Sequence, residues 1–492
     1  MQCSADGVYC QALNMKTSQR FLSGIAVSLA LILPCFWQPR IQAGDLSSHV
    51  YNAWLAREAV DGKLEGIRVA YQSTNVLFDL LLSQAVARLG FDAGQKVLMA
   101  VLVLTLFWGA FAFVWASAGR KVWSVAPCLA ILAYGWTFHM GFCNFYLSTG
   151  LSLLYLALTS RVGAKRLAWA LPVLGLAASA HILPVAWALF VQTYSHVAAK
   201  LEGRKRPVLL GAGLVAILLA HLALGMWFPI RWSVWQFLFV SGADQAWVYG
   251  TKYAAVSFGL LFLYCLLFLQ RAVVTGLGSL MGNVRFHAVL LTAVAIMVLP
   301  NSVQLPQYNH ALAFISQRMS LPLAILVCAG LAAECIPKPV VAVFSGLAII
   351  FFSFLYVDSW ALNSLESEME GLLSQMPPGA RVVSALADSS SRIDPLLHMV
   401  DRACINKCYS YANYEPSTAQ FRIRADQSSR VVLSDSGDCR AAGEGNYVVK
   451  ERDGVLYQVR ACRPAGGRLC LGALKPGDVT GKIELRVMSR LY

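Results

Sequence analysis

The stretch GDLSSHVYNAWLAREAVDGKLEG, Gly44 to Gly66, follows directly on the first apolar segment of the chain, and its reading decides what the rest must be. From Asp45 to Val60 it contains neither Pro nor Gly, so it reads as a helix. Leu46, Val50, Trp54 and Tyr51 fall on one face, and Asp45, Ser48, His49 and Asn52 on the other. An amphipathic helix next to an apolar segment is expected to lie along a membrane surface. Asp45 and His49, four residues apart, then point the same way. Asp61-Gly62 and Glu65-Gly66 make a turn, after which Thr74-Asn75 is expected to cap a second amphipathic helix, Val76 to Leu89, carrying Asp79 and Gln84.

Outward from this loop the chain reads as an integral membrane protein. It is 57% hydrophobic and 13% charged, with a mean hydropathy of +0.57. Its apolar runs are near the length that crosses about 30 Å of hydrocarbon. They are Phe21–Trp37, Val97–Ser117, Val122–Met140, Asn144–Ser160, Pro207–Phe228, Tyr253–Gln270, Phe286–Pro300, Met319–Cys335 and Val340–Val357, with a split pair, Leu167–Ala180 and Ile182–Val197. Each is expected to be helical, because lipid offers no partner to backbone N–H and C=O groups. The expected fold is therefore an α-helical polytopic membrane protein of about eleven segments, including one broken pair.

Charge orients it. With the amino terminus in the cytoplasm, the inner segments hold Lys16, Arg20, Arg120, Lys121, Arg161, Lys165, Arg166, Lys200, Arg204, Lys205, Arg206, Arg271, Arg285 and Lys338. These outnumber Arg40, Arg57, Lys63, Arg68, Arg88, Lys96, Arg231, Lys252 and Arg318 on the opposite side, as the positive-inside bias requires. Acids run the other way: Asp45, Glu58, Asp61, Glu65, Asp79, Asp92 and Asp244 face outward, and Asp6, Glu202 and Glu334 inward. The net charge of +14 is thus a topology signal and a counter-charge for anionic lipid, and no nucleic-acid partner is implied. The rival reading of the amino terminus, a secretory signal ending at Ile41-Gln42-Ala43, is disfavoured by Pro39-Arg40 and by the length of the apolar run. The expected organisation is a cytoplasmic tail (1–20), a membrane domain (21–357) with a long outer loop (38–96), and a soluble outer domain (358–492).

An acidic residue just after the first span (Gly44-Asp45), helices in a long first loop, a broken pair and an outer carboxy-terminal domain together resemble the C-type (GT-C) glycosyltransferase superfamily. The segments GFCNFYLSTGL (Gly141 to Leu151) and FISQRM (Phe314 to Met319) are similar to stretches in uncharacterised bacterial members. The resemblance implies a transferase in a bacterial inner membrane that takes a sugar from a polyprenyl-phosphate carrier on the non-cytoplasmic face. It makes Asp45 the catalytic base, with His49 orienting it or the substrate. Many relatives carry a second acid beside or two residues after the first, whereas here Asp45 is followed by Leu46-Ser47-Ser48-His49. The other reading of Asp45 is a helix N-cap, and the two are compatible.

The chemistry asks for the same parts. A sugar on a phosphate already has a good leaving group, so the protein must deprotonate an acceptor hydroxyl and hold charge developing on the phosphate. Arg318 is the first candidate for the phosphate, since a guanidinium offers a bidentate fork, and Arg231 and Lys252 follow. Asn52, Asp79, His181 and His310 are expected to line the cavity, His181 because helices that break in membranes tend to face one. No GxxxxGK[ST], HExxH or paired CxxC motif is present, which disfavours a nucleotide-driven pump, a zincin and a zinc ribbon. A divalent metal on Asp45 and His49 is the cofactor the pattern leaves room for.

After Asp358 the composition changes. Ala361 to Gln375 reads as a helix leaving the membrane. Strand-like runs follow at Arg381–Leu386, Arg430–Leu433, Tyr447–Lys450, Val455–Arg460 and Ile483–Val487, so the domain is expected to be small and α/β or mostly β. Cys404, Cys408, Cys439, Cys462 and Cys470 leave room for one or two disulfides. Cys408 to Pro416 (CYSYANYEP) suits sugar stacking but reads better as core and turn. Against the transferase stand a lipid or glycan transporter or flippase, suggested by the broken helices, and a non-catalytic scaffold subunit.

Overall fold

The computed structural model describes residues 17–160, 164–203, 205–333, 336–462, 469–485 and 487. Most of the expected cytoplasmic tail, with Asp6 and Lys16, and the topology markers Arg161, Arg204 and Glu334 lie outside the described residues. The chain is mostly helical. Its first part holds α1 (Thr17–Ile32), α2 (Leu46–Val60), β1 (Ile67–Val69), α3 (Leu77–Ala118), α4 (Ala126–Ala133), α5 (Trp136–His139), α6 (Cys143–Thr159), α7 (Ala164–Ala180), α8 (Ile182–Ala199) and α9 (Lys205–Trp227). Then come β2 (Ile230–Arg231), α10 (Thr251–Thr275), α11 (Leu277–Met281), α12 (Val284–Val298), β3 (Ser302–Val303), α13 (Ile315–Ala332) and α14 (Lys338–Leu373).

Six of these, α3, α8, α9, α10, α13 and α14, are long and apolar enough to cross a membrane. Shorter apolar helices lie at Leu22–Cys35, Cys143–Thr159, Ala168–Ala180 and Val284–Val298. The run Val122–Met140 is a correction: it is no continuous span but a 3₁₀ turn, α4 and α5, interrupted at Tyr134-Gly135. Hydropathy counts apolar residues and is blind to a broken backbone. The split pair breaks at His181, whose extended backbone separates α7 from α8 and whose Nδ1 accepts a hydrogen bond from the Leu183 N–H.

The second loop helix and the span after it form one element. α3 runs from Leu77 to Ala118 with a kink at Gly90, where φ is +78°. Thr74-Asn75 does not cap it. Thr74 Oγ1 donates to the Ala178 carbonyl, and the Phe78 N–H is taken by Asn144 Oδ1 from α6 (2.8 Å). α3 and α6 approach so closely that a Cβ on Gly109 would collide with the Gly150 carbonyl oxygen. Small residues at such contacts bring backbones together where lipid supplies no hydrophobic drive.

Helix α2 also departs from expectation. It is not laid on a surface with its polar face open: Leu46, Val50, Tyr51 and Leu55 are buried, and so are Ser47, Ser48, His49 and Asn52. The polar face is covered by the segment that follows α14. That segment holds β4 (Ala380–Ser384), β5 (Leu386–Ala387), α15 (Met399–Ala403), β6 (Cys408–Ser410), α16 (Glu415–Thr418), β7 (Ile423–Ala425), α17 (Ser436–Glu444), β8 (Leu456–Ala461), β9 (Leu469–Leu474) and β10 (Ile483–Glu484). Four strands make a mixed sheet in the order β6-β4-β8-β9, with β4 parallel to β6 and β8, and β8 antiparallel to β9. Arg430–Leu433 forms no strand, and Tyr447–Lys450 contributes one isolated bridge. Disulfides join Cys404 to Cys408 and Cys462 to Cys470, leaving Cys439 a buried thiol.

Strand pairing and a buried ion pair are among the contacts that bind this segment to the amino-terminal half. β1 pairs antiparallel with β7, Ile67 opposite Ala425. At α15, Arg402 forks onto buried Glu366 of α14, with Nε and Nη2 each 2.7 Å from a carboxylate oxygen. The Arg402 Nη1 donates to the Ile41 carbonyl and to Gln95 of α3, while Gln42 donates to Glu366. This clamp fixes the strand of chain that delivers Asp45. No break stands between span and exit helix, since α14 runs through both.

Candidate functional site

Asp45 is placed by its backbone. The Gly44 and Asp45 N–H groups donate to the carbonyls of His139 (2.7 Å) and Met140 (2.9 Å), so the start of α2 docks on the α5–α6 turn. Gly141 makes the docking possible: its φ is +79°, and a Cβ there would stand 2.6 Å from the Asp45 and Leu46 nitrogens. The segment GFCNFYLSTGL thus supplies the seat for Asp45. Asp45 occupies the N-cap position, but its backbone is αR and its side chain makes no capping hydrogen bond. The carboxylate turns to a cavity instead.

That cavity has a volume of about 580 Å³ and is walled by the start of α2, the α5–α6 turn, the break at His181, the loop before α13 and the segment after α14. Within it, His398 Nε2 lies 3.6 Å from Asp45 Oδ1. The other ring nitrogen, Nδ1, is 3.3 Å from Asp401 Oδ2, an ion-pair contact and not an aligned hydrogen bond. Ser410 Oγ donates to the second oxygen of Asp401. Tyr414 packs on the imidazole with ring centres 5.0 Å apart. Burial opposes the charged form of His398, but Asp401, Asp45 and Glu415 outweigh it and raise its pKa.

A second imidazole stands one turn along α2. His49 Nδ1 is 2.7 Å from Asp79 Oδ1 and 3.8 Å from Glu415 Oε1, and Asn144 donates to the other Asp79 oxygen (2.8 Å). Burial disfavours the His49 imidazolium, yet Asp79, Glu415 and Asp45 together raise its pKa to about 10. Glu415 is pushed up to about 7, chiefly by burial, with His49 opposing. Ser48 Oγ donates to it at 3.2 Å. Asn52 and Asn413 exchange hydrogen bonds behind this couple (3.4 and 3.3 Å). Asn52 and Asp79, expected on the wall, therefore stand behind it, while Asp45, His49, His181 and His310 line the cavity.

Arg318, on the first turn of α13, also lines the cavity, within electrostatic reach of Asp45. Its guanidinium carbon lies 3.6 Å from the centre of the Phe142 ring, and its buried Nε has no hydrogen-bond partner. The other two candidate cations are elsewhere. Lys252 donates to Asp358 at 2.6 Å, beside Tyr253, which donates to the other oxygen, and Arg231 sits in β2 against Ser302. Neither borders the cavity.

A divalent ion on Asp45 and His49 would have to displace the proton that Asp79 and Glu415 favour on His49, whose Nδ1 lies 2.7 Å from Asp79. Among the described residues no group of three His, Cys, Asp or Glu is disposed to hold a metal.

Sequence reasoning missed His398, Asp401 and Asn144 as site residues, and placed Tyr414 and Glu415 in a stretch read as core and turn. Asn144 lay inside a segment singled out without a role, and Tyr414-Glu415 inside the aromatic run. His398 and Asp401 carried no signal. No family model, curated protein or solved structure matches the chain.

Proposed function

We propose that the protein is a membrane glycosyltransferase of the C-type class, moving a sugar from a polyprenyl-phosphate carrier to an acceptor hydroxyl. One observation carries this reading: a half-buried carboxylate, Asp45, and a guanidinium with an unfilled donor, Arg318, face the same cavity at the ends of apolar helices. An acid and an anion-seeking cation are the pair that transfer from a sugar phosphate requires.

In the proposed reaction Asp45 takes the proton of the acceptor hydroxyl as its oxygen bonds to the anomeric carbon. The bond from that carbon to the phosphate oxygen breaks, its electron pair leaves with the phosphate, and Arg318 balances the charge. His398, held between Asp45 and Asp401, keeps Asp45 ionised between turnovers. Tyr414 offers a ring face for a sugar. The proposed setting is a bacterial inner membrane crossed by about eleven segments, α4 and α5 together making one broken crossing, with the amino terminus cytoplasmic and the carboxy-terminal segment and the cavity outside. The two disulfides support that side, since such bonds persist in oxidising compartments.

The deciding experiment supplies membranes with a panel of labelled polyprenyl-phosphate sugars and compares the native chain with Asp45→Asn at matched expression. Transfer that needs Asp45 is expected, and it identifies the donor. Transfer that survives the substitution removes Asp45 as the base, and no transfer from any donor sinks the reading.

A further inference from the structure

β1 and β7 form a two-stranded ribbon in which Arg68 stands directly opposite Arg424. The Ala70 N–H donates to the Arg422 carbonyl (2.7 Å) and carries the ladder one pair further. Side chains alternate along a strand, so Arg68, Arg422 and Arg424 share one face, while Ile67 and Ile423, on the other, are buried. The arginine face is the open one: Arg68 is exposed, and Arg422 and Arg424 are half-buried. Like charges set opposite each other destabilise a sheet. Asp426 lies within electrostatic reach of Arg68 and offsets part of that repulsion, but its carboxylate already accepts from the Ser428 N–H and hydroxyl. An anion laid across the face relieves the rest.

The ribbon runs into the rim of the Asp45 cavity. Two positions past Ala70, Gln72 Nε2 donates to the Gln420 carbonyl (2.6 Å), and Gln72, Gln420 and Phe421 all line the cavity. Arg424 Nε donates to the Phe421 carbonyl (3.4 Å), which ties the basic face to that rim. From there aromatic rings lead inward. Phe421 meets Tyr414 edge-on with ring centres 5.5 Å apart, Tyr414 packs on His398 at 5.0 Å, and His398 reaches Asp45. Amides and ring faces are groups that hold sugars. The same cavity also opens where Ile182 and Phe314 are exposed, at the starts of α8 and α13. That apolar mouth suits a polyprenyl chain and leaves the ribbon side to the acceptor.

We propose that the Arg68, Arg422 and Arg424 face docks an acidic glycan, a sugar chain bearing carboxylates or phosphates, which runs over Phe421 and Tyr414 and presents its acceptor hydroxyl to Asp45. The proposal names the acceptor class and rests on the transferase reading. The ribbon joins the loop after α2 to the segment after α14 and ends at the turn Asp426 to Ser429, away from the end of any apolar helix, so a soluble glycan is favoured over a lipid headgroup.

The test uses the full chain in neutral detergent with fluorescein-labelled oligogalacturonate as the probe and labelled maltooligosaccharide as its neutral counterpart. Binding is read by fluorescence anisotropy and needs no turnover. The acidic probe is expected to bind over the neutral one, and Arg68→Gln with Arg424→Gln to weaken it about 10-fold, roughly threefold for each exposed cation. Raising the ionic strength should erase most of the difference between native chain and variant. Arg68→Lys with Arg424→Lys is expected to keep binding, and Lys475→Gln with Lys482→Gln, on the same segment but off the cavity, to leave it unchanged. An unchanged melting temperature establishes that the ladder, made by backbone groups, is intact; if the double variant melts early, Arg422→Gln carries the test. Equal binding of the two probes, binding indifferent to the ribbon arginines, or phosphatidylglycerol retained through them more tightly than the probe each overturns the assignment. Acidic-probe binding without transfer from any donor takes down the acceptor role together with the transferase reading and leaves the docking surface standing. Transfer with equal KM for acidic and neutral acceptors takes down this inference alone.

Discussion

Two acid–cation assemblies sit within one seam of this molecule and are built to opposite specifications. At the Arg402 clamp each oxygen of Glu366 meets a guanidinium nitrogen at 2.7 Å, Gln42 adds a third donor, and both side chains are buried. At Asp45 the nearest cation stands 3.6 Å away, the carboxylate is half-buried, and Arg318 nearby keeps a donor unfilled. A saturated pair has nothing left to offer a ligand and serves the architecture; an unsaturated one marks where a ligand belongs. Breaking the first should cost fold, and breaking the second should cost function.

The sharpest contrast sets Asp45→Asn against Arg402→Ala. Loss of a general base is expected to lower transfer about 10²–10⁴-fold, while the melting temperature stays within the range of a shift of about 0.5 kcal/mol. Arg402→Ala takes both close guanidinium donors from buried Glu366, leaving Gln42 and the more distant Arg40, and is expected to destabilise the fold by about 3–5 kcal/mol; thermal unfolding in detergent reads both. Should Asp45→Asn unfold the chain while Arg402→Ala leaves it intact, the comparison is inverted and the roles assigned here fail.

His49 gives a pH test of the same division. Its folded-state value, about 10, lies above the ordinary 6.5, so its contribution is full below pH 6.5 and is lost as pH rises through 10. Glu415, raised to about 7, acts in the same direction and has lost most of its share before His49 does. The melting temperature is therefore expected to fall from pH 7 to 10, and His49→Gln to flatten that slope. A slope indifferent to His49 would show that the Asp79–His49–Glu415 couple does not hold its proton. The smallest effect belongs to Arg318→Gln, which on the proposed reading removes charge-assisted hydrogen bonds to the donor. These are worth about 1.5–3 kcal/mol, so KM for the sugar phosphate should rise by one to two orders of magnitude, with stability little changed.

What the sequence made legible was local. The apolar runs, the break at His181, and the nearness of Asp45 and His49 follow from spacing of one to four residues, and the helices carry them. The failures share a cause. Ser48, His49 and Asn52 were read as the polar face of a helix lying along the membrane surface because nothing within α2 announces that Tyr414, Glu415 and Asn413 cover it from more than 350 positions away. Thr74-Asn75 looked like a cap, yet the donor at Phe78 was satisfied by Asn144 from another helix. Val122–Met140 matched a span in composition, while Gly135 and the turn before it break it. Site residues such as His398 and Asp401 have no pattern of their own, since their meaning comes from the partner they meet.

The pairing of Ile67 with Ala425 also sets a timetable. The ribosome delivers Asp45 within the first tenth of the chain and His398, Tyr414 and Glu415 in its last fifth. For most of translation the polar residues of α2 have no cover, and the long interval between partners makes this closure entropically slow. Maturation of the cavity is thus the closing act of biogenesis: a nascent chain stalled before β4 has its apolar helices but lacks His398, Tyr414 and Glu415.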